Sequence, residues 1–303
     1  MTPSHEPEVS FLETGLSYED DSFTPEEKET LLKWYEQNHE EGVDSNLSVF
    51  PQFWLEHDPG GFKRYRRHSV LVDGPDEHGV FPPQAAHLLM HIYLYTVWAN
   101  PKGILYMVVN SRHLGASRAE VIDTFRLSAI QAGPFGFNAA GELTDRYLRD
   151  WPVDPDEPGV PWPEDWAPDP NAFVSGIDHA TDDFGPGELE LLKDWYVKVY
   201  GDVPSHVDAL AKYHPTALKT QRIKFEASLG PALPAQMAPL CMLLLACSRD
   251  DARGMQRAVQ LAKHLGVRRR HAVAVILWSG IYGAETKMES DFDALGPLLE
   301  DWE

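Results

Sequence analysis

The 303-residue chain has only two cysteines, Cys241 and Cys247. They lie six residues apart in an apolar run of helical character, so the second stands about 240° round and about 9 Å along from the first. That separation excludes a disulfide within an intact helix, and so sparse a use of cysteine implies a reducing compartment. Long apolar runs are also missing. The longest, around Leu240 to Cys247, is far shorter than the roughly 20 residues needed to span a bilayer. No basic segment followed by an apolar one opens the N-terminus, so the expected location is the cytoplasm. Positive charge is absent where acids gather. Against 26 Lys and Arg stand 47 acids, a net charge of −21; residues 1–27 hold eight of these acids, residues 150–183 hold ten, and neither stretch has a Lys or Arg. The other 29 acids nearly balance the bases. An acidic chain without a basic stripe repels phosphate backbones, which excludes nucleic acid and an anionic membrane surface as partners. What is present is ample core material: 43% hydrophobic residues and nine Trp, enough to exclude disorder for the chain as a whole.

An internal repeat organises the rest. Phe23-Thr-Pro-Glu-Glu-Lys-Glu-Thr-Leu-Leu-Lys-Trp-Tyr35 recurs as Phe184-Gly-Pro-Gly-Glu-Leu-Glu-Leu-Leu-Lys-Asp-Trp-Tyr196. Phe81-Pro-Pro-Gln recurs as Leu233-Pro-Ala-Gln, and His113-Leu-Gly115 as His264-Leu-Gly266. The order is kept while the offset shrinks from 161 to 151, as loop deletions would produce. Each half opens with a proline at the first helical position, and Thr24 with Glu27 forms a capping box. A second box, Ser117-Arg-Ala-Glu120, starts another apolar-periodic run.

Between the halves, residues 150–170 contain seven prolines together with Trp151, Trp162 and Trp166. Prolines at this density exclude helix and central strand, and the tryptophans call for a segment lying against the folded surface. Elsewhere the periodicity is helical, and no strand-like alternation bounded by hairpin turns occurs. The expected fold is all-α. It comprises an acidic tail (1–22), a first unit (23–149), a Pro- and Trp-rich linker (150–183) and a second unit (184–303).

Leu-Gly-Ala-Ser-Arg-Ala-Glu-Val-Ile from Leu114, followed by Ser128-Ala-Ile-Gln-Ala-Gly-Pro-Phe-Gly-Phe-Asn-Ala-Ala140, resembles the closing helices of the carboxymuconolactone decarboxylase and alkylhydroperoxidase D superfamily. Lys263-His-Leu-Gly-Val267 and Trp278-Ser-Gly-Ile-Tyr-Gly283 carry a fainter likeness in the second half. The resemblance implies two tandem helical units related by pseudo-twofold symmetry, cofactor-independent chemistry on a small carboxylate or lactone, and assembly into homo-oligomers. The family's thiol motif is not kept. Its Cys, Cys and His positions fall on Asn100, Gly103 and Met107 in one half and on Asp251, Gly254 and Ala258 in the other. Thiol peroxidase chemistry therefore has neither nucleophile nor resolving group.

The candidate for a relocated site is the run Pro83-Gln-Ala-Ala-His87-Leu-Leu-Met-His91-Ile-Tyr-Leu-Tyr95-Thr-Val-Trp98. His87, His91 and Tyr95 recur every fourth residue, so they line one face of an otherwise apolar helix. A polar row on a buried helix must find partners in the core, face a cavity or bind something. An imidazole beside a phenol suits proton transfer next to a carbonyl or carboxylate. A metal would need a third ligand, which the run does not supply, so no metal or other cofactor is expected. At an offset of 152 the second half reads Pro239, Leu243 and Cys247, and only the first half carries the row.

The expectation is thus a lyase, decarboxylase or isomerase working through His87, His91 and Tyr95, with Arg64, Arg66, Trp98, Asn100, Met107 and His113 contributing to the substrate site. The alternative is a catalytically silent duplicated scaffold for assembly or small-ligand binding. A further basic cluster, Arg268-Arg-Arg-His271, sits at a helix start where the dipole disfavours cations. It calls for an acidic partner, either the acidic linker or a carboxylate ligand.

Overall fold

The computed structural model describes residues 16–37, 49–73, 84–283 and 287–302. Among them the regular structure consists of fourteen helices, with no strand. In chain order they are α1 (Pro25–Gln37), α2 (Val49–His57), α3 (Pro59–Asp73), α4 (Gln84–Val97), α5 (Pro101–His113), α6 (Arg118–Ser128) and α7 (Gly133–Asp150). There follow α8 (Glu188–Tyr200), α9 (Ser205–Tyr213), α10 (Pro215–Glu226), α11 (Met237–Ser248), α12 (Ala252–His264), α13 (Arg269–Gly283) and α14 (Met288–Glu300). The chain divides into two compact units, one of residues Met1–Val121 and Pro134–Pro161, the other of Ile122–Gly133 and Trp162–Glu303.

In the first unit the Thr24 capping box forms as the sequence predicts. The Thr24 hydroxyl accepts the Glu27 amide at 3.1 Å, and the Glu27 carboxylate accepts the Thr24 amide at 2.8 Å and the Ser17 amide at 2.7 Å. Lys63, buried in α3, reaches the same carboxylate at 3.2 Å and also donates to the Ser22 carbonyl. Burial opposes ionisation of Glu27, but these donors outweigh it and hold the acid below its ordinary range. The acidic N-terminal segment is tied to the unit from Leu16, which packs on the cluster of Leu31, Tyr35, Leu55 and Phe62. Residues 1–15 of the expected tail, and Phe81-Pro-Pro of the repeat, lie outside the described residues.

The second unit repeats this arrangement. Glu188 accepts the amides of Gly185 and Asp178, and buried Lys219 of α10 bonds it at 2.9 Å and the Asp183 carbonyl at 2.6 Å. Phe23 lies under Lys63 and Phe184 under Lys219, at 5.2 and 5.8 Å. Some helices of the two units agree in length, while others differ, such as α3 and α10 with 15 and 12 residues and α7 and α14 with 18 and 13. α2 and α9 have nine residues each, and α5 and α12 have thirteen each, with starts 151 apart for the latter pair.

The turn before α5 recurs before α12 in detail. Ala99 and Asp250 both take left-handed backbone, at φ 54° and 56°. Asn100 and Asp251 then cap their helices by accepting the amides of Gly103 and Gly254 at 3.0 and 2.9 Å. A side chain at either glycine would meet its cap: an added Cβ would stand 2.9 Å from Asn100 Nδ2 and 2.4 Å from Asp251 Oδ2. Asn100 with Gly103 and Asp251 with Gly254 are thus each a cap and the glycine it needs.

α4 and α11 are apolar on nearly every side and are buried accordingly. The linker has no helix between Trp151 and Gly187 and is strapped down, as its tryptophans require. In the first unit Trp151 is buried against the Arg112 guanidinium at 4.6 Å, and the Val160 amide bonds Glu120 of the second capping box. In the second unit Trp166 is buried edge-on to His271 at 5.2 Å, and Phe173 stacks on Phe225 at 4.5 Å. Arg268 pairs with Asp165 at 3.0 Å, so the acidic linker supplies its partner, while Arg269 donates to the Leu299 carbonyl at 3.3 Å. No described helix is long and apolar enough to cross a membrane.

Candidate functional site

The polar row forms as the four-residue spacing dictates, and α4 buries it. His91 is fully enclosed and His87 nearly so, their rings edge to face at 4.3 Å. His91 Nδ1 lies 2.8 Å from the His87 carbonyl, which can only accept, so that nitrogen carries the proton and Nε2 the lone pair. Burial drives His87 well below its ordinary value, with His91 adding to the effect, and holds His91 at about 4, so both imidazoles are neutral at pH 7. Tyr95 follows at 6.0 Å from His91, with its phenol pushed up by burial, and Trp98 lies 6.0 Å beyond it, partly exposed.

Of the remaining expected site residues, Trp98 and Asn100 adjoin Tyr95, and Arg66 shares Tyr65 and Tyr106 with Tyr95 as neighbours. Arg64 is an exposed partner of Asp21, whereas Arg66 is buried and bonded to Tyr35. Asn100 is engaged as the α5 cap beside Tyr95, since both would crowd a Cβ at Gly103. Met107 is buried and His113 ends α5. Among the described residues no group of three or more His, Cys, Asp or Glu is placed to hold a metal. Cys241 and Cys247 are separate and buried, and burial raises both thiols far above their ordinary value.

The second unit contains a cavity of about 440 Å³ between α8, α9, α10 and the start of α12. A second, of about 200 Å³, shares Tyr200, Phe225, Asp251, Gly254 and Arg257 as walls and extends to Met242, Ala246 and Ala258 of α11 and α12. None of the three residues of the polar row lines either cavity. The larger is walled by Tyr196, Tyr200, Phe225 and Leu218 and carries four basic side chains, Arg222, Lys224, Arg253 and Arg257, against the single acid Asp251.

Arg222 is the buried member of this set, at 2% exposure. Its Nε bonds Glu226 at 2.8 Å, Nη2 donates to the Phe173 carbonyl, and the guanidinium lies 3.8 Å over the Trp195 ring. Nη1 is buried and has no hydrogen-bond partner among the described residues. Two of the outer cations share one acid: Arg253 and Arg257 both bond Asp202, which they keep below its ordinary range. His206 stands at the rim, lowered by partial burial and by Arg257.

The sequence signal for this cavity lay in the repeat, but only in a register the structure supplies. The Tyr95 carbonyl accepts the Asn100 amide at 3.0 Å, and the Ala246 carbonyl accepts the Asp251 amide at 3.0 Å. This sets His87, His91 and Tyr95 against Ala238, Met242 and Ala246, one residue earlier than the Pro239, Leu243 and Cys247 that the 152 offset selects. A histidine and a tyrosine of the first unit are thus matched by a methionine and an alanine that line the smaller cavity. Compared with protein-family models, with curated proteins and with solved structures, the chain matches none.

Proposed function

We propose that the protein is a tandem duplication of one seven-helix unit, similar to the alkylhydroperoxidase D scaffold, whose second copy binds a small organic anion. The observation that carries the reading is the cavity itself. Basic side chains outnumber acids on its walls, Arg222 keeps a donor unused, and Asp251, Gly254 and Ala258 stand where the resembled family has its thiols and histidine. Support for duplication comes from the left-handed turn and side-chain cap that recur before α5 and α12 and from the paired Glu27–Lys63 and Glu188–Lys219 bonds. The test is a panel of small carboxylates, lactones and phosphate, scored by thermal shift and by tryptophan fluorescence. Ligands that bind the native state raise its melting temperature, with a stabilisation that grows as the logarithm of ligand concentration over Kd. A panel in which no anion shifts it removes this reading.

A second reading is favoured by one observation, the two neutral imidazoles and a phenol in line on α4. Under it the first copy is a cofactor-independent lyase or isomerase of a small carboxylate or lactone, with His87 or His91 moving the proton. His87→Ala and His91→Ala should then each lower turnover by about a hundred- to ten-thousand-fold with the fold retained. Loss of thermal stability without a selective loss of rate assigns the row to core packing.

A further inference from the structure

We propose that the larger cavity of the second unit takes a flat aromatic monocarboxylate, its carboxylate on Nη1 of Arg222 and its ring against Tyr196, Tyr200 and Phe225. The inference rests on the reading of that unit as a small-anion binder and adds the class of ligand. Charge gives the sign. A buried guanidinium nitrogen without an acceptor is costly, and an anionic oxygen satisfies it with the strongest kind of hydrogen bond.

The number of donors gives the charge. Nε and Nη2 of Arg222 are committed to Glu226 and Phe173, so one nitrogen with two N–H groups remains in the buried part of the site. That matches a carboxylate. A phosphate dianion has more acceptor oxygens to satisfy and costs more to strip of water, and no glycine-rich backbone cradle is present among the cavity walls.

The walls give the body. Tyr196 and Tyr200 stack at 5.9 Å and 29°, and Phe225 lies edge-on to Trp195 at 6.0 Å. Aromatic walls favour a planar ring, which gains stacking or edge contacts beyond its buried area. A volume of about 440 Å³ accommodates one substituted ring, within the range typical of small-molecule sites.

The experiment is calorimetric titration of the full chain with benzoate, benzamide, cyclohexanecarboxylate, acetate and inorganic phosphate. Benzoate is expected to bind at least tenfold more tightly than each of the others. Gln221 is an exposed wall residue, so Gln221→Glu should leave folding unchanged while weakening benzoate at least fivefold; Arg222→Gln should abolish binding, with circular dichroism reporting whether it folds. Equal binding of benzoate and benzamide overturns the charge assignment, and equal binding of benzoate and cyclohexanecarboxylate overturns the aromatic one. Preference for phosphate or acetate replaces the ligand class but keeps the anion-binding reading. If none of the anions binds, both fall, and if Gln221→Glu binds benzoate like the wild type, the location is wrong.

Discussion

Tyr95 and Ala246 hold the same backbone place in two helices, each accepting the amide of the residue five positions on at 3.0 Å, and one carries a phenol where the other carries a methyl group. The Tyr95 ring lies against Gly103, since a Cβ there would come within 2.9 Å of it, whereas Ala246 lines a cavity of about 200 Å³ beside Gly254. Ala246→Tyr should therefore fill the smaller cavity of the second unit. A crystal structure of the variant, or loss of xenon or small-ligand binding there, checks this. The reverse change, Tyr95→Ala, removes a largely buried ring and should cost about 3 kcal/mol in chemical denaturation.

Acid should unfold the second unit partly through Glu188. The amide of Asp178, then Lys219 and the amide of Gly185, hold this carboxylate at about 2 against an ordinary 4.5. A depressed acid stabilises the fold fully above its unfolded value and loses that contribution as pH falls from about 4.5 to about 2. Melting temperature measured across this interval should drop, and Glu188→Gln should flatten the drop while lowering stability at neutral pH. An unaltered pH profile in the variant contradicts the assignment.

The buried imidazoles act over a higher window. His91 is held at about 4 and His271 likewise, both chiefly by burial, so the unfolded chain takes up protons near pH 6.5 that the folded chain refuses. Stability should be fully present above about 6.5 and decline as pH falls towards 4. His91→Gln should remove part of that slope. Retention of the whole slope would mean that the imidazole ionises in the fold.

Neither thiol should react in the native protein. Burial raises Cys241 and Cys247 far above the range in which a thiolate forms at neutral pH. Ellman's reagent should leave both untouched under native conditions and titrate two per chain in guanidinium. Cys241→Ser with Cys247→Ser should leave ligand binding and any turnover unchanged.

The helix-start boxes should be separable from the buried ion pair beneath them. Thr24→Ala removes one cap acceptor, at a cost of about 1 kcal/mol. Glu27→Ala also strands Lys63 in a buried position, and losses on removing one partner of such a pair run to about 3–5 kcal/mol. Urea denaturation of the two variants should rank them in that order, and equal effects would deny Lys63 its role.

By itself the sequence determined everything that depends on neighbours along the chain. The proline that opens α1, the Thr24 and Ser117 boxes and the apolar runs settle where those helices start and which are buried, because capping and periodicity are local; in the second half the expected proline start fails, since α8 begins at Glu188, after Pro186 and a left-handed Gly187. The same holds for the proline-dense linker and for the missing thiol pair. Tertiary structure decided the rest. That Arg222 is enclosed over the Trp195 ring and joins Glu226 and the Phe173 carbonyl follows from which side chains converge on its guanidinium, and convergence is set by packing between segments far apart in sequence. The cavity was hidden for a related reason: a void is defined by the side chains that fail to fill it. The repeat could point to that deficit only once backbone hydrogen bonds had matched Ala246, and not Cys247, to Tyr95.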